Sequence, residues 1–212
     1  MDTRIKEAKK ITNNPFLNYY EMTVVNKFGN EHPYYMATRM KDGNLKCLTG
    51  ENPPDGVLIC GIHQGEDGVD RIVLVRQLRY PVNTYVYELP AGLVDEGETP
   101  MEAAVREYRE ETGLHFEPLN LDPALWNPYY SSVGMTDESV STAYGYASGA
   151  IASDGLEENE DLTVVLADRE EAKRILKEER VCSKCAYLLL HFISSENGHP
   201  FRFLEPFLEE MK

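Results

Sequence analysis

Three glutamates within five residues, Glu107, Glu110 and Glu111, are the part of this sequence best equipped for chemistry. On a helix Glu107 and Glu111 stand one turn apart with Glu110 beside them, so the three carboxylates crowd together. Like charges at that spacing repel unless arginines or a bound cation compensate them, and two carboxylates on successive turns can hold a divalent ion. A solvated polar face accounts for most glutamates on amphipathic helices, but it does not require this cluster. Two further groups have to be weighed beside these glutamates. Arg79, at the end of an apolar run, could make a bidentate contact to a phosphate. The acidic stretch Gly155-Leu-Glu-Glu158-Asn-Glu160-Asp-Leu162 reads, taken alone, as a solvated charge run.

The elements that must position these groups are well signalled. Thr99 with Glu102 makes a capping box, Pro100 takes the first helical position, and Gly113 falls where a left-handed terminating residue is wanted, so a helix is expected from about Thr99 to Thr112. At 100° per residue Met101, Ala104, Val105, Tyr108 and Thr112 form its core-facing stripe, extended by Ala103. Glu102, Arg106 and Glu110 form an i, i+4 ladder in which one arginine can hold two carboxylates. Strands are expected at Asn18 to Val25, Tyr34 to Met40, Gly56 to Ile62, Ile72 to Leu78, Thr84 to Leu89, Glu138 to Tyr146 and Leu162 to Leu166. The run Arg71 to Val75 is apolar on both faces, as in a central strand, whereas the earlier strands read as half exposed. Two helices close the pattern, Asp168 to about Arg180 and about Cys182 to Ser195.

The chain has 212 residues, with 36 acidic against 21 basic side chains and a formal net charge of -15. That field repels phosphate polymers and anionic headgroups, so no nucleic-acid polymer and no membrane is expected as a partner, while divalent cations are favoured. No segment has the length of an apolar membrane span, the amino terminus has no apolar signal segment, and a cytoplasmic protein is expected. Cys182 and Cys185 form a single C-x-x-C with no second pair for zinc, and read as small residues near the start of an amphipathic helix. The composition shift at Pro53-Pro54 divides an amino-terminal β extension, residues 1–52, from a main body at 53–212.

Gly92, five residues, Glu98, seven residues, then Arg106-Glu107, an apolar position, any residue, Glu110-Glu111, any residue and Gly113-Leu114 resembles the complete Nudix box. Tyr108 stands where that pattern usually has an aliphatic residue. The resemblance implies an α/β fold, an αβα sandwich around a central mixed sheet, with the box holding magnesium or manganese beside a diphosphate. It implies Glu107 and Glu111 as main metal ligands, with Glu110 and the Ala91 carbonyl contributing and with Gly92, Glu98, Arg106 and Gly113 bracing the box. From about Gly56 onward the chain is similar to the ADP-ribose pyrophosphatase group. Tyr87-Glu88-Leu89-Pro90-Ala91-Gly92 resembles that group's approach to the box, and Gln77-Leu78-Arg79 the place of its substrate-binding arginine; Arg79 and Glu88 are the substrate-binding candidates. Ser131 to Glu138 resembles its downstream loop, with Val133 where proline is usual. The acidic loop resembles the one that supplies a catalytic glutamate, Glu158 first and Glu160, also a possible metal ligand, second.

The resemblance implies a metal-dependent pyrophosphatase acting on a nucleoside diphosphate sugar, first of all ADP-ribose, giving AMP and ribose 5-phosphate. Two or more cations on Glu107 and Glu111 would clamp the diphosphate and acidify a water whose proton Glu158 takes. The alternatives are another nucleoside diphosphate derivative, such as a UDP- or GDP-sugar or a dinucleoside polyphosphate, a noncatalytic Nudix ligand sensor, and an acidic scaffold without an active site. A homodimer is expected, because the strands bearing Met22, Val24, Tyr35 and Met36 need a surface to cover them and the similar group pairs through this region.

Overall fold

The computed structural model describes residues 4–156 and 160–208. Along the chain these form β1 (Ile5–Lys10), β2 (Asn18–Val25), β3 (Glu31–Thr38), a short α1 (Lys46–Thr49), β4 (Gly56–Gln64), β5 (Asp70–Arg79), β6 (Thr84–Glu88), β7 (Ala91–Leu93), α2 (Pro100–Thr112), β8 (His115–Pro118), β9 (Tyr129–Tyr130), β10 (Ser139–Ser148), β11 (Leu162–Ala167), α3 (Arg169–Glu178) and α4 (Ser183–Ser194). They fall into two compact units. One takes the chain up to Asp55 together with Pro128–Val140, and the other takes Gly56–Asn127 and the chain from Ser141 onward.

In the first unit β1, β2 and β3 form an antiparallel sheet with Tyr20 opposite Met36. Alternation along β2 turns Tyr20 and Met22 to one face, where they pack with Met36 and Leu45. Met22 and Met36 are each 5% exposed, so the half-exposed reading of these two is corrected: their own unit covers them. Tyr35 is exposed on the opposite face, stacked on Tyr19 at 5.8 Å between ring centroids. The stretch 131–138 is pinned to β3, the Ala37 N–H donating to the Met135 carbonyl at 2.9 Å and the Tyr34 hydroxyl to the Gly134 carbonyl at 2.9 Å. A buried ammonium ties three more segments together: Lys46 Nζ donates to Asp55 Oδ2 and to Ser139 Oγ, both at 2.7 Å. Removing one partner of such a buried pair costs about 3–5 kcal/mol, because the other charge is left alone.

The second unit is built on the central mixed sheet, in the order β11-β5-β4-β10-β8, with β6 on β5 and β7 on β4. β5 lies inside it, and Ile72, Val73, Leu74 and Val75 are all 0–1% exposed, as a strand apolar on both faces requires. Alternate side chains of β4 and β5 face different helices. Val57, Ile59 and Val73 pack with Ala103, Ala104 and Tyr108 of α2. Cys60 points the other way and lies near Cys185 of α4, which packs with α3. Helices thus cover both faces, an αβα sandwich.

Candidate active site

The capping chemistry fixes where α2 starts and therefore where its carboxylates stand. Thr99 accepts from the Glu102 N–H while Glu102 accepts from the Thr99 N–H, closing the capping box, and Gly113 ends the helix at φ 73°. Because Glu102 folds back onto Thr99, the expected ladder is corrected in one rung. Arg106 holds Glu110 at 3.1 Å, but its main partner is Glu98, reached by two bonds of 3.0 and 2.8 Å. The same guanidinium donates to Glu107 Oε1 at 2.8 Å and to the Leu93 carbonyl at 3.1 Å, so one side chain ties the loop before the helix to its glutamates.

Glu107 and Glu111 both face β7. Glu111 is 3% exposed and accepts from the Ala91 N–H at 3.1 Å. Ala91 thus touches the site through its amide, a contact separate from the carbonyl to which the resemblance points. Glu107 rests on Gly92: a Cβ there would stand 1.8 Å from the Glu107 carboxyl carbon, so only glycine leaves room for it. Burial pushes the Glu111 carboxyl up to about 8; the Ala91 N–H opposes this, and the charges of Glu160 and Glu107 add to it. The Glu107 carboxyl is raised for the same first reason, with Arg106 opposing. Glu110, further round the helix, is exposed.

The other candidates come from the ends of neighbouring strands. β5 and β6 pair so that Arg79 grips Glu88, Nε to Oε1 at 2.6 Å and Nη2 to Oε2 at 2.9 Å. The structure joins these two candidates in a bidentate pair, and the Arg79 charge is felt at Glu111. β11 is registered on β5 with Leu162 opposite Gln77, and the Leu78 N–H bonds the Asp161 carbonyl at 2.9 Å. Glu160 thus enters at the Arg79 end of β5, close enough to act on both Glu107 and Glu111. Glu158 lies outside the described residues. Gly155 has no side chain to keep it off α2, and a Cβ there would stand 2.7 Å from the Glu110 carbonyl oxygen. The Ala152 N–H also bonds the Thr112 carbonyl at 3.0 Å, so the stretch before the acidic loop is tied to the end of α2.

Among the described residues no three His, Cys, Asp or Glu side chains already converge on one point. The donor set nonetheless fits a hard divalent cation: Glu111 is buried, has a raised pKa, and has two further carboxylates acting on it. A cation there would supply the charge that this trio lacks.

The NUDIX domain profile matches residues 52–183, more than half of the chain. The chain belongs to the NUDIX family. The Nudix box that identifies it is the Gly92-to-Leu114 segment just described, and the chain resembles the ADP-ribose pyrophosphatase group of Nudix hydrolases. It is 30% identical over 132 residues to a methanol dehydrogenase activator of Bacillus methanolicus, covering 61% of this chain and 68% of that protein. It is 37% identical over 87 residues to an ADP-ribose pyrophosphatase of Saccharomyces cerevisiae, covering 41% of this chain but only 38% of the yeast protein. A solved structure described as an ADP compounds hydrolase shares the fold with a TM-score of 0.59 at 15% identity, over 82% of each chain.

Two features of the Nudix site were not found from the sequence. The Gly92–Glu107 contact is a packing fact between separate elements, although the spacing of the box singles out both residues. The Tyr108 hydroxyl is buried without a hydrogen-bond partner among the described residues and sits against Gly61, where a Cβ would stand 2.1 Å from it. The only signal for that contact was the departure of Tyr108 from the aliphatic pattern.

Proposed function

We propose that this Nudix protein is a metal-dependent pyrophosphatase that splits the diphosphate of ADP-ribose or a close ADP-sugar, giving AMP and a sugar phosphate, ribose 5-phosphate in the first case. The observation that carries this reading is the buried Glu111 carboxyl, raised to about 8 beside Glu107 and Glu160 on an intact box. The choice of substrate is supported by the yeast relative, described as an ADP-ribose pyrophosphatase.

Glu107 and Glu111, with Glu110, Glu160 and the Ala91 carbonyl as further donors, would hold magnesium or manganese. Bound there, the metal supplies charge neutralisation of the diphosphate and a more acidic water. Arg106 holds Glu107 and Glu110 in place, and Gly92 leaves the space that Glu107 fills. Arg79, positioned by Glu88, offers a guanidinium to a phosphate or ribose oxygen. The acidic loop takes the proton from the attacking water, through Glu158 or Glu160. The β-rich first unit pairs two copies into a homodimer, using exposed surface such as the Tyr19–Tyr35 stack; no helix of the described residues is long and apolar enough to cross a membrane.

A panel of ADP-ribose, UDP- and GDP-sugars and dinucleoside polyphosphates with magnesium, with products identified, tests the assignment. ADP-ribose is expected to give the highest kcat/KM, with AMP as a product. Preference for a UDP- or GDP-sugar would move the substrate, and no hydrolysis of any would leave a ligand-binding protein.

A further inference from the structure

The first unit contains a cavity of about 250 Å³ whose wall includes Met22, Met36, Tyr34, Tyr130, Lys46 and Asp137. Its two charged residues are in opposite situations. Lys46, with a side chain 3% exposed, is neutralised by Asp55 and also bonds Ser139. Asp137 has no such partner: among the described residues both its carboxylate oxygens are closed off from solvent and accept no hydrogen bond. Its chain neighbours are engaged elsewhere, Thr136 accepting from the Glu138 N–H at 3.1 Å and Glu138 pairing with Arg39 at 3.5 Å. Asp137 as a whole is half-buried, but carboxylate oxygens shut off from water without a donor are unfavourable, and a cation or a pair of N–H groups that reached them would relieve this. The rest of the wall is suited to a flat carbon skeleton, with two thioethers and two tyrosine rings, and aromatic faces favour a cation over an anion. With Lys46 neutralised, the cavity carries the single negative charge of Asp137 within a protein of net charge -15.

We propose that this cavity binds a small organic cation with a flat apolar body, of the amidinium or guanidinium class. For this Asp137 has to swing its closed-off carboxylate out to the cavity surface, where its two oxygens pair with two N–H groups of the ligand, while Met22, Met36 and Tyr34 cover the body of the ligand. No residue of the Nudix box is among those that line this cavity, and its ligand need not be a substrate.

Benzamidine is the direct probe, and benzamide is its neutral counterpart of nearly the same shape. Calorimetric titration of the full chain is expected to show saturable binding of benzamidine, at least about tenfold tighter than benzamide, with that preference lost in Asp137→Asn. Glu111→Gln should bind benzamidine like the parent, since that change touches only the box. Val133, 68% exposed on the cavity wall, gives a second test: Val133→Trp should fill the cavity and abolish binding even if Asp137→Asn does not fold. No saturation up to about 10 mM, benzamide binding as tightly as benzamidine, or undiminished binding in Asp137→Asn or Val133→Trp would each overturn the proposal.

Discussion

At Gly92 the absence of a side chain is what allows Glu107 to reach β7, since a Cβ would stand 1.8 Å from the carboxyl carbon. Gly92→Ala should therefore displace that carboxylate and lower kcat about a hundredfold with the melting temperature little changed; steady-state rates and a thermal melt on the same preparation check it. The charge itself is tested by Glu107→Gln, expected to lose about two or more powers of ten in turnover with the fold intact. Glu102, on the same helix, belongs to the capping box, so Glu102→Ala should lower the melting temperature by a few degrees and leave turnover nearly unchanged. Equal kinetic losses at Glu102 and Glu107 would show that the two faces of α2 have been assigned wrongly.

The box helix is held at its depth by a matched pair, Gly61 on β4 and Tyr108 on α2, with Phe116 against the same ring at 4.9 Å. Gly61→Ala should destabilise by about 1–3 kcal/mol through overpacking, and Tyr108→Leu in the same chain should restore much of that loss; denaturant melts of the single and double variants measure it. At the same level, burial raises the thiols of Cys60, up to about 12, and Cys185. Both should resist a thiol reagent at pH 8 in the folded protein and react once it is unfolded, because a thiol well below its pKa is not a nucleophile. The elements of the second unit were largely legible because their signals are local: capping residues bound α2, and two-sided apolarity marks β5. β1 was not, since Ile5–Lys10 is mostly charged and becomes a strand only by pairing with β2. The burial of Glu111 was also hidden, because on the helix alone it reads with the polar side, and only β7, eighteen or more residues earlier, closes over it.

Taken whole, the chain divides its work between a sandwich that carries the Nudix box and a smaller unit in which 128–140 joins the amino-terminal strands. That grouping was not legible in the sequence, because Ala37 and Met135 meet only in the folded chain. With Met22 and Met36 already covered, pairing of two copies must use the exposed surface, and light scattering at micromolar concentration should return the mass of a dimer; a monomer would remove that part of the account. The central claim is that the buried box carboxylates work by holding a divalent cation against a diphosphate. It is tested most directly by the turnover of ADP-ribose with magnesium, after exhaustive chelation, and after magnesium is returned, with the products identified. The account predicts AMP and ribose 5-phosphate, loss of turnover on chelation and recovery on return of the metal, whereas undiminished turnover in the chelated protein would contradict it.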